Sequence, residues 1–254
     1  MIVGFAGAGN MAAAMARGWA GAEGGPRMLF CDLDRERAAA LAAEVEGEVR
    51  DSLPALAADS EVVLLAVKPA ALDDVAEQMG HRAPALLSVM AATPTSRLAE
   101  AFPAVPALRV MPNQPVEVRR GVICHPPAVA MPEELETRLL NLLEALGSLF
   151  ELPEEQIETA MAVMSCAPAY AAVFAGALAG AGAAEGLDPH VSLELVAETL
   201  AGTAEMLAHR GAEEIESAVA PPGGATEAGL DALRDRGFEE AIAAAVAASL
   251  ERFR

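Results

Sequence analysis

The sequence predicts an α/β protein, with a doubly wound parallel sheet over residues 1–151 followed by an all-helical region over 152–254. Three observations carry this. Short apolar runs alternate with helix-like segments through the first part, the pattern of a parallel sheet with helices on its faces. The run "SEVVLLAVKP" is continuously apolar and closed by Pro, as expected of a strand buried on both sides. Beyond about residue 152 the strand-like runs stop. The 254 residues are 54% hydrophobic and 21% charged, which supplies a sizeable core and rules out a disordered chain or a disulfide-framework miniprotein.

Taken in order, "MIVGFAG" is a strand and "NMAAAMARGWAG" a helix; "PRMLFCD" and "RERAAALAAEV" repeat the pair. After "SEVVLLAVKP", the segments "APALLSVMA", "PALRVMP" and "RGVICH" are further strands. "PEELETRLLNLLEALG" is an amphipathic helix whose end is marked by Gly147, and "SLFEL" is a last strand. "PEEQIETAMAVM" opens with Pro and acids, which suit a helix N-terminus. An Ala/Gly helix then covers residues 168–186. The next helix takes Asp188 as N-cap and Pro189 as its first residue. "APPGGATEAGL" is a loop entering a helix, and "GFEEAIAAAVAASLERFR" is a terminal helix. About a quarter of the chain is Ala, which lets helices approach closely. A helical region of ~100 residues with such small side chains is poorly supplied with core, so it is expected to bury a face against another subunit.

The formal net charge is -20, from 17 Lys and Arg against 37 Asp and Glu, with no basic run. That argues against a nucleic-acid partner or an anionic membrane surface. A phosphorylated ligand would be held mainly by backbone N–H groups. Cys31, Cys124 and Cys166 are far apart and odd in number, as in a reducing cytoplasm, and a cytoplasmic location is expected. The four histidines lack ligand spacing, so no metal is expected. The first residues lack a basic region, and Gly and Asn interrupt their apolar run, unlike a signal peptide. Residues 159–184 are uncharged and long enough to span a bilayer. Their Ala/Gly content and Pro168 favour a buried helix with small-residue packing, and no membrane partner.

Chemistry concentrates in a few segments. Gly7-Ala8-Gly9-Asn10-Met11-Ala12 follows a strand and opens a helix, as a dinucleotide-binding fingerprint requires. Gly7 permits the tight turn, Gly9 lets the backbone approach a pyrophosphate at the helix N-terminus, and Ala12 lets helix and strand pack. Asp32 ends the second strand. There it accepts from a ribose 2′-OH and repels a 2′-phosphate, a tilt toward NADH, unless Asp32 or Asp34 merely caps the next helix; Arg35 and Arg37 could pair a 2′-phosphate instead. Lys68, the only lysine, sits in Ala66-Val67-Lys68-Pro69 at the carboxyl end of a strand, where ligands bind in such sheets. Asn113, in Arg109-Val110-Met111-Pro112-Asn113, offers an amide to nicotinamide or substrate, or forms a turn. In Pro221-Pro222-Gly223-Gly224-Ala225-Thr226, backbone N–H groups could hold a carboxylate; Thr226 either caps the following helix or faces a substrate.

"GFAGAGNMA", "AVKP", "RVMPN", "PAY" and "PPGGATEAGL", in that order across essentially the whole chain, resemble the pyrroline-5-carboxylate reductase family. The resemblance implies an N-terminal Rossmann domain and a helical domain that interlocks into homodimers, often assembled further into rings. It implies reduction of a cyclic imine, 1-pyrroline-5-carboxylate, to proline with NADPH or NADH. Gly7 to Ala12, Ala66 to Pro69, and Ala91 with Ala92 then correspond to cofactor-contacting segments. Gly223, Gly224, Ala225 and Thr226 correspond to the substrate segment, Thr226 lies near the imine, and Glu154 aligns with an acidic residue near the substrate.

The chain departs from the family pattern mainly in the substrate half. Met164-Ser165-Cys166-Ala167-Pro168-Ala169-Tyr170 stands for Ser-Gly-Ser-Gly-Pro-Ala-Tyr, and Pro221 for a Ser. Glu198, Gln114 and Thr93 replace a Gln, a Thr and a Gly. A β-hydroxyacid dehydrogenase would share the two-part plan but uses a lysine in the helical domain, and no Lys follows Lys68. Two alternatives stay open: a reductase of a different cyclic imine, and a non-catalytic dinucleotide-binding paralogue with a regulatory or assembly role.

Overall fold

The computed structural model describes residues 1–128 and 131–253. By packing, the chain forms two compact units, Met1–Cys166 with Arg252–Arg254, and Ala167–Glu251. The division lies downstream of residue 151 because the segment after it packs with the first unit.

In that unit, the elements alternate in order: β1 (Ile2–Ala6), α1 (Asn10–Ala20), β2 (Arg27–Cys31), α2 (Arg35–Glu44), β3 (Glu48–Val49), α3 (Leu53–Ala58), β4 (Val62–Leu65), α4 (Leu72–Met79), β5 (Leu86–Ser88), α5 (Thr95–Ala101) and β6 (Ala107–Arg109). The six strands pair in parallel in the order β3-β2-β1-β4-β5-β6. The order reverses between β1 and β4, the topological switch point of a doubly wound sheet. Both faces are covered. Val62 and Leu64 of β4 join Phe5, Trp19 and Phe30 on one side, while Val63 and Leu65 join Leu29, Leu56 and Val75 on the other. This two-sided burial is why β4 reads as an unbroken apolar run. Trp19 is buried edge-on to Phe5, with ring centroids 5.9 Å apart, and its indole N–H donates to the Leu142 carbonyl at 2.8 Å.

The remaining strands form a separate sheet. It comprises β7 (Met111–Pro112), β8 (Gly121–His125) and β9 (Gly147–Glu151), with α6 (Glu133–Glu144) between the last two. The segment "PALRVMP" therefore serves two sheets, turning at Val110. Gly147 does not end the preceding helix as expected, since Ala145 is the cap and Gly147 begins β9. Its φ of 149 and the Gly121 carbonyl lying where its Cβ would be explain the glycine. A 3-10 turn, Glu154–Gln156, and α7 (Ile157–Met164) complete the unit.

The second unit is helical: α8 (Ala167–Ala184), α9 (Pro189–Leu207), α10 (Ala212–Val219), α11 (Ala225–Asp235) and α12 (Phe238–Phe253), whose last residues belong to the first unit. Asp188 caps α9 as expected, accepting from His190 and Val191 N–H. Helices α8 and α9 meet over small side chains, with the Ser192 hydroxyl donating to the Ala179 carbonyl at 2.8 Å. The Tyr170 and Ser249 hydroxyls are hydrogen-bonded at 2.6 Å.

The expected burial of the Ala/Gly helix is not met within one chain, because Ala179 is the only buried residue of α8. Ala179 and Val196 are the buried apolar residues of this unit among those described, whereas Val173, Leu178, Leu195 and Ile242 are exposed. One helical stretch, Glu154–Ala184, is long and apolar enough to cross a membrane by length and composition, and α7 and α8 divide it.

Candidate functional site

Parallel strands deliver their carboxyl ends to one edge of the sheet, and four predicted segments lie along it. The loop after β1 is held by the Gly7 N–H donating to the Cys31 carbonyl at 2.8 Å. Gly7 has φ +101, and a Cβ there would sit 2.7 Å from the Ala66 carbonyl oxygen. The turn thus needs glycine for the fold itself. Gly9 differs: its φ is -74 and a Cβ would meet nothing within 4 Å. It caps α1 without any side-chain hydrogen bond, so the first N–H groups of α1 keep no intrahelical partner. Ala8 and Ala12 are buried, while Asn10 is exposed and Met11 half-buried. A loop open on its outer side above an uncapped helix N-terminus fits a pyrophosphate.

Asp32 flanks this loop. Its carboxylate accepts from the Ala8 N–H at 2.6 Å and from the Asp34 N–H at 2.8 Å. The helix cap is Asp34, which accepts from the Arg37 N–H. Arg37 is paired with Asp34 at 3.0 Å, and Arg35 lies 3.8 Å from Asp51. Ala66 and Val67 abut Gly7 across the switch point, and Lys68, exposed, precedes the short turn that Pro69 opens. Next along the edge, after β5, come Ala91 and Ala92. Ala92 has φ 51, a left-handed conformation that costs an ordinary residue about 1–2 kcal/mol. The Thr93 hydroxyl steadies this turn by donating to the Ala91 carbonyl at 3.1 Å.

Asn113 lies four residues past the end of β6, where β7 meets β8. Its side chain donates to the Met164 carbonyl at 3.1 Å and accepts from the Val122 N–H at 2.8 Å. It ties α7 to the small sheet.

Glu154 is also engaged. Its carboxylate meets the Arg109 guanidinium and accepts from the Thr95 hydroxyl at 2.6 Å. Arg109, Thr95 and Glu158 were missed in the sequence. The available signal was a cation ending an apolar strand, with Glu154 and Glu158 four residues apart on one helical face.

In the second unit, Gly224 caps α11 and Thr226 is its exposed second residue, so Thr226 is not the cap. The Gly224 N–H donates to the Pro221 carbonyl at 3.0 Å, and the Gly223 N–H to the Glu227 carboxylate at 2.6 Å. The amides of Ala225 and Thr226, in the first turn, have no intrahelical acceptor.

A family model described as pyrroline-5-carboxylate reductase dimerisation matches residues 154–254, and one described as NADP oxidoreductase, coenzyme F420-dependent, matches residues 2–92. The pyrroline-5-carboxylate reductase of Treponema pallidum is 31% identical over 98% of this chain and 99% of its own length. The chain belongs to the pyrroline-5-carboxylate reductase family. The Pseudomonas aeruginosa member is 33% identical over 98% of this chain and 94% of its own. A solved Streptococcus pyogenes member superposes with a TM-score of 0.90 at 26% identity, covering 100% of this chain and 98% of that one. Within this family the chain keeps an α/β nucleotide-binding region followed by a helical one, as its sequence predicted.

Proposed function

We propose that this chain reduces 1-pyrroline-5-carboxylate to proline with a nicotinamide dinucleotide, acting as a homodimer through its helical region. The reading is carried by similarity to reductases of that name running through both regions, over 98% of the chain. It is supported by the loop at the switch point, where no described residue comes within 4 Å of a Cβ built on Gly9 and a ligand has room to approach.

Residues 7–12, 66–69, 91–92 and Asp32 form the cofactor side of this proposal. Gly223, Gly224, Ala225 and Thr226 form the substrate side. Bound there, the dinucleotide supplies a hydride to the C=N carbon. The protonated imine is already electrophilic, so the protein needs no strong general acid and works by positioning and electrostatics. As the C=N pair moves onto nitrogen, a lone pair develops to which the Thr226 hydroxyl can donate, and that bond strengthens along the reaction. The Ala225 and Thr226 amides are the free donors for the substrate carboxylate; Gly223 and Gly224 shape the turn while their own N–H groups are engaged. The Glu154 carboxylate is committed to Arg109 and Thr95, and the Asn113 side chain to Met164 and Val122.

Cofactor choice is proposed to favour NADH. Asp32 is fixed at the loop by two backbone N–H groups, and Arg35 and Arg37 each face an acid. Asp32→Ser is expected to raise the NADPH/NADH ratio of kcat/KM by roughly fivefold, the effect of relieving about 1 kcal/mol of like-charge repulsion. An unchanged ratio would leave Asp32 a mere brace for the loop.

Exposed apolar side chains on α8, α9 and α12 support assembly. Light scattering on the purified chain is expected to give a dimer or a closed multiple of it, such as a ring. A stable folded monomer would refute this.

The deciding assay is reduction of 1-pyrroline-5-carboxylate with NADH and NADPH in parallel. Turnover is expected with at least one. Tight dinucleotide binding without turnover would favour the non-catalytic paralogue, for which Pro221 and the Glu227 carboxylate at the Gly223 N–H are the supporting features.

A further inference from the structure

We propose that Arg109 is a positioning residue that, through Glu154 and Thr95, holds the 91–95 turn in place against the dinucleotide. Arg109 ends β6 beside Ser88 of β5, and its side chain is 0% exposed. Its guanidinium forks onto two carboxylates, Glu154 and, at 2.8 Å, Glu158. The second oxygen of Glu154 takes the Thr95 hydroxyl at 2.6 Å. Thr95 is the first residue of α5, three residues past Ala92. A continuous chain of bonds therefore runs from the sheet, through guanidinium and carboxylate, to the turn that carries Ala91 and Ala92.

Two features point to placement rather than to simple stabilisation. Burying a guanidinium is expensive, and an apolar residue of similar volume is often as stable or more so. Here the Nε of Arg109 is also left without a partner, an added penalty at the ligand edge of the sheet. Meanwhile the turn has a specific need for bracing. Ala92 is in a strained conformation, and α5 has Pro94 as its cap residue with no side-chain cap bond, while the Thr95 hydroxyl serves Glu154. A turn held at both ends presents its backbone to a ligand without the entropy cost of ordering it on binding.

The proposal rests on the reading that the 91–92 turn faces the cofactor, and the test separates the two. In the full-length protein, Thr95→Val removes only the hydroxyl. The Kd and KM for dinucleotide are expected to rise about three- to tenfold, with kcat at saturating cofactor and the imine KM nearly unchanged, and Thr95→Ser is expected to restore them. Arg109→Lys keeps the charge but loses the fork, and is expected to shift the cofactor KM the same way. Ala92→Asp puts a carboxylate on an exposed position whose backbone conformation Asp tolerates. If Ala92→Asp weakens dinucleotide binding while Thr95→Val leaves Kd within twofold of the parent, the positioning role is overturned and the site reading stands. If Ala92→Asp also leaves binding unchanged, the turn does not face the cofactor and both fall.

Discussion

Gly9→Val is expected to abolish useful dinucleotide binding while leaving the fold intact. The backbone at Gly9 is at φ -74 and ψ -175, a region open to a β-branched residue, and nothing among the described residues approaches the new Cβ within 4 Å. The only casualty is space outside the loop, where a pyrophosphate must come within van der Waals contact of the backbone to reach the α1 N–H groups. Losing that approach should raise Kd by about 100-fold or more, equivalent to roughly 2.7 kcal/mol. The melting temperature should move by no more than a few degrees. Gly7→Val is the contrasting variant. At φ +101, with the Ala66 carbonyl 2.7 Å from its Cβ, it should lower the melting temperature outright. Calorimetric titration and thermal melts on the pair check both statements. Unchanged affinity in Gly9→Val would mean that the loop does not carry the cofactor.

Thr226→Val is expected to lower kcat/KM by about 5- to 150-fold, the loss of a hydrogen bond worth roughly 1–3 kcal/mol that is made mainly in the transition state. Dinucleotide Kd should barely change. Because Gly224 rather than Thr226 caps α11, and Thr226 is exposed, the substitution has no cap to remove. Stability should therefore stay within about 0.5 kcal/mol. Single-turnover reduction measured beside a melt on the same variant decides the matter. Full activity would remove Thr226 from the chemistry and leave the substrate side to the backbone amides alone.

What the sequence makes legible here is local. The buried strands, the glycine loop and the Asp188 cap each advertise themselves within a few residues, because periodicity and turn chemistry act over that range. What it leaves unread is non-local. Gly147 resembles a helix terminator until Gly121 is seen lying against it across a strand pair. Arg109 reads as part of a motif and Glu154 as a substrate neighbour, although they are 45 residues apart and join only in the folded chain. Asn113 is polar at the end of a strand, as a ligand-contacting residue would be, yet its amide is used between Met164 and Val122. The α8 helix carries an apolar composition without an apolar face, so its sequence could not say whether its cover comes from this chain.

The packing of Trp19 has a spectroscopic consequence. It is the only tryptophan, and it is immobilised on the very helix whose opening turn forms the glycine loop. All indole emission from the protein therefore originates at one rigid, water-excluded point. Energy transfer from that point to a reduced nicotinamide ring would be free of competing donors of the same kind. Quenching of Trp19 emission on titration would give binding isotherms for the parent and every variant above without a label, and its spectral position would separately report whether the nucleotide-binding sheet remains folded.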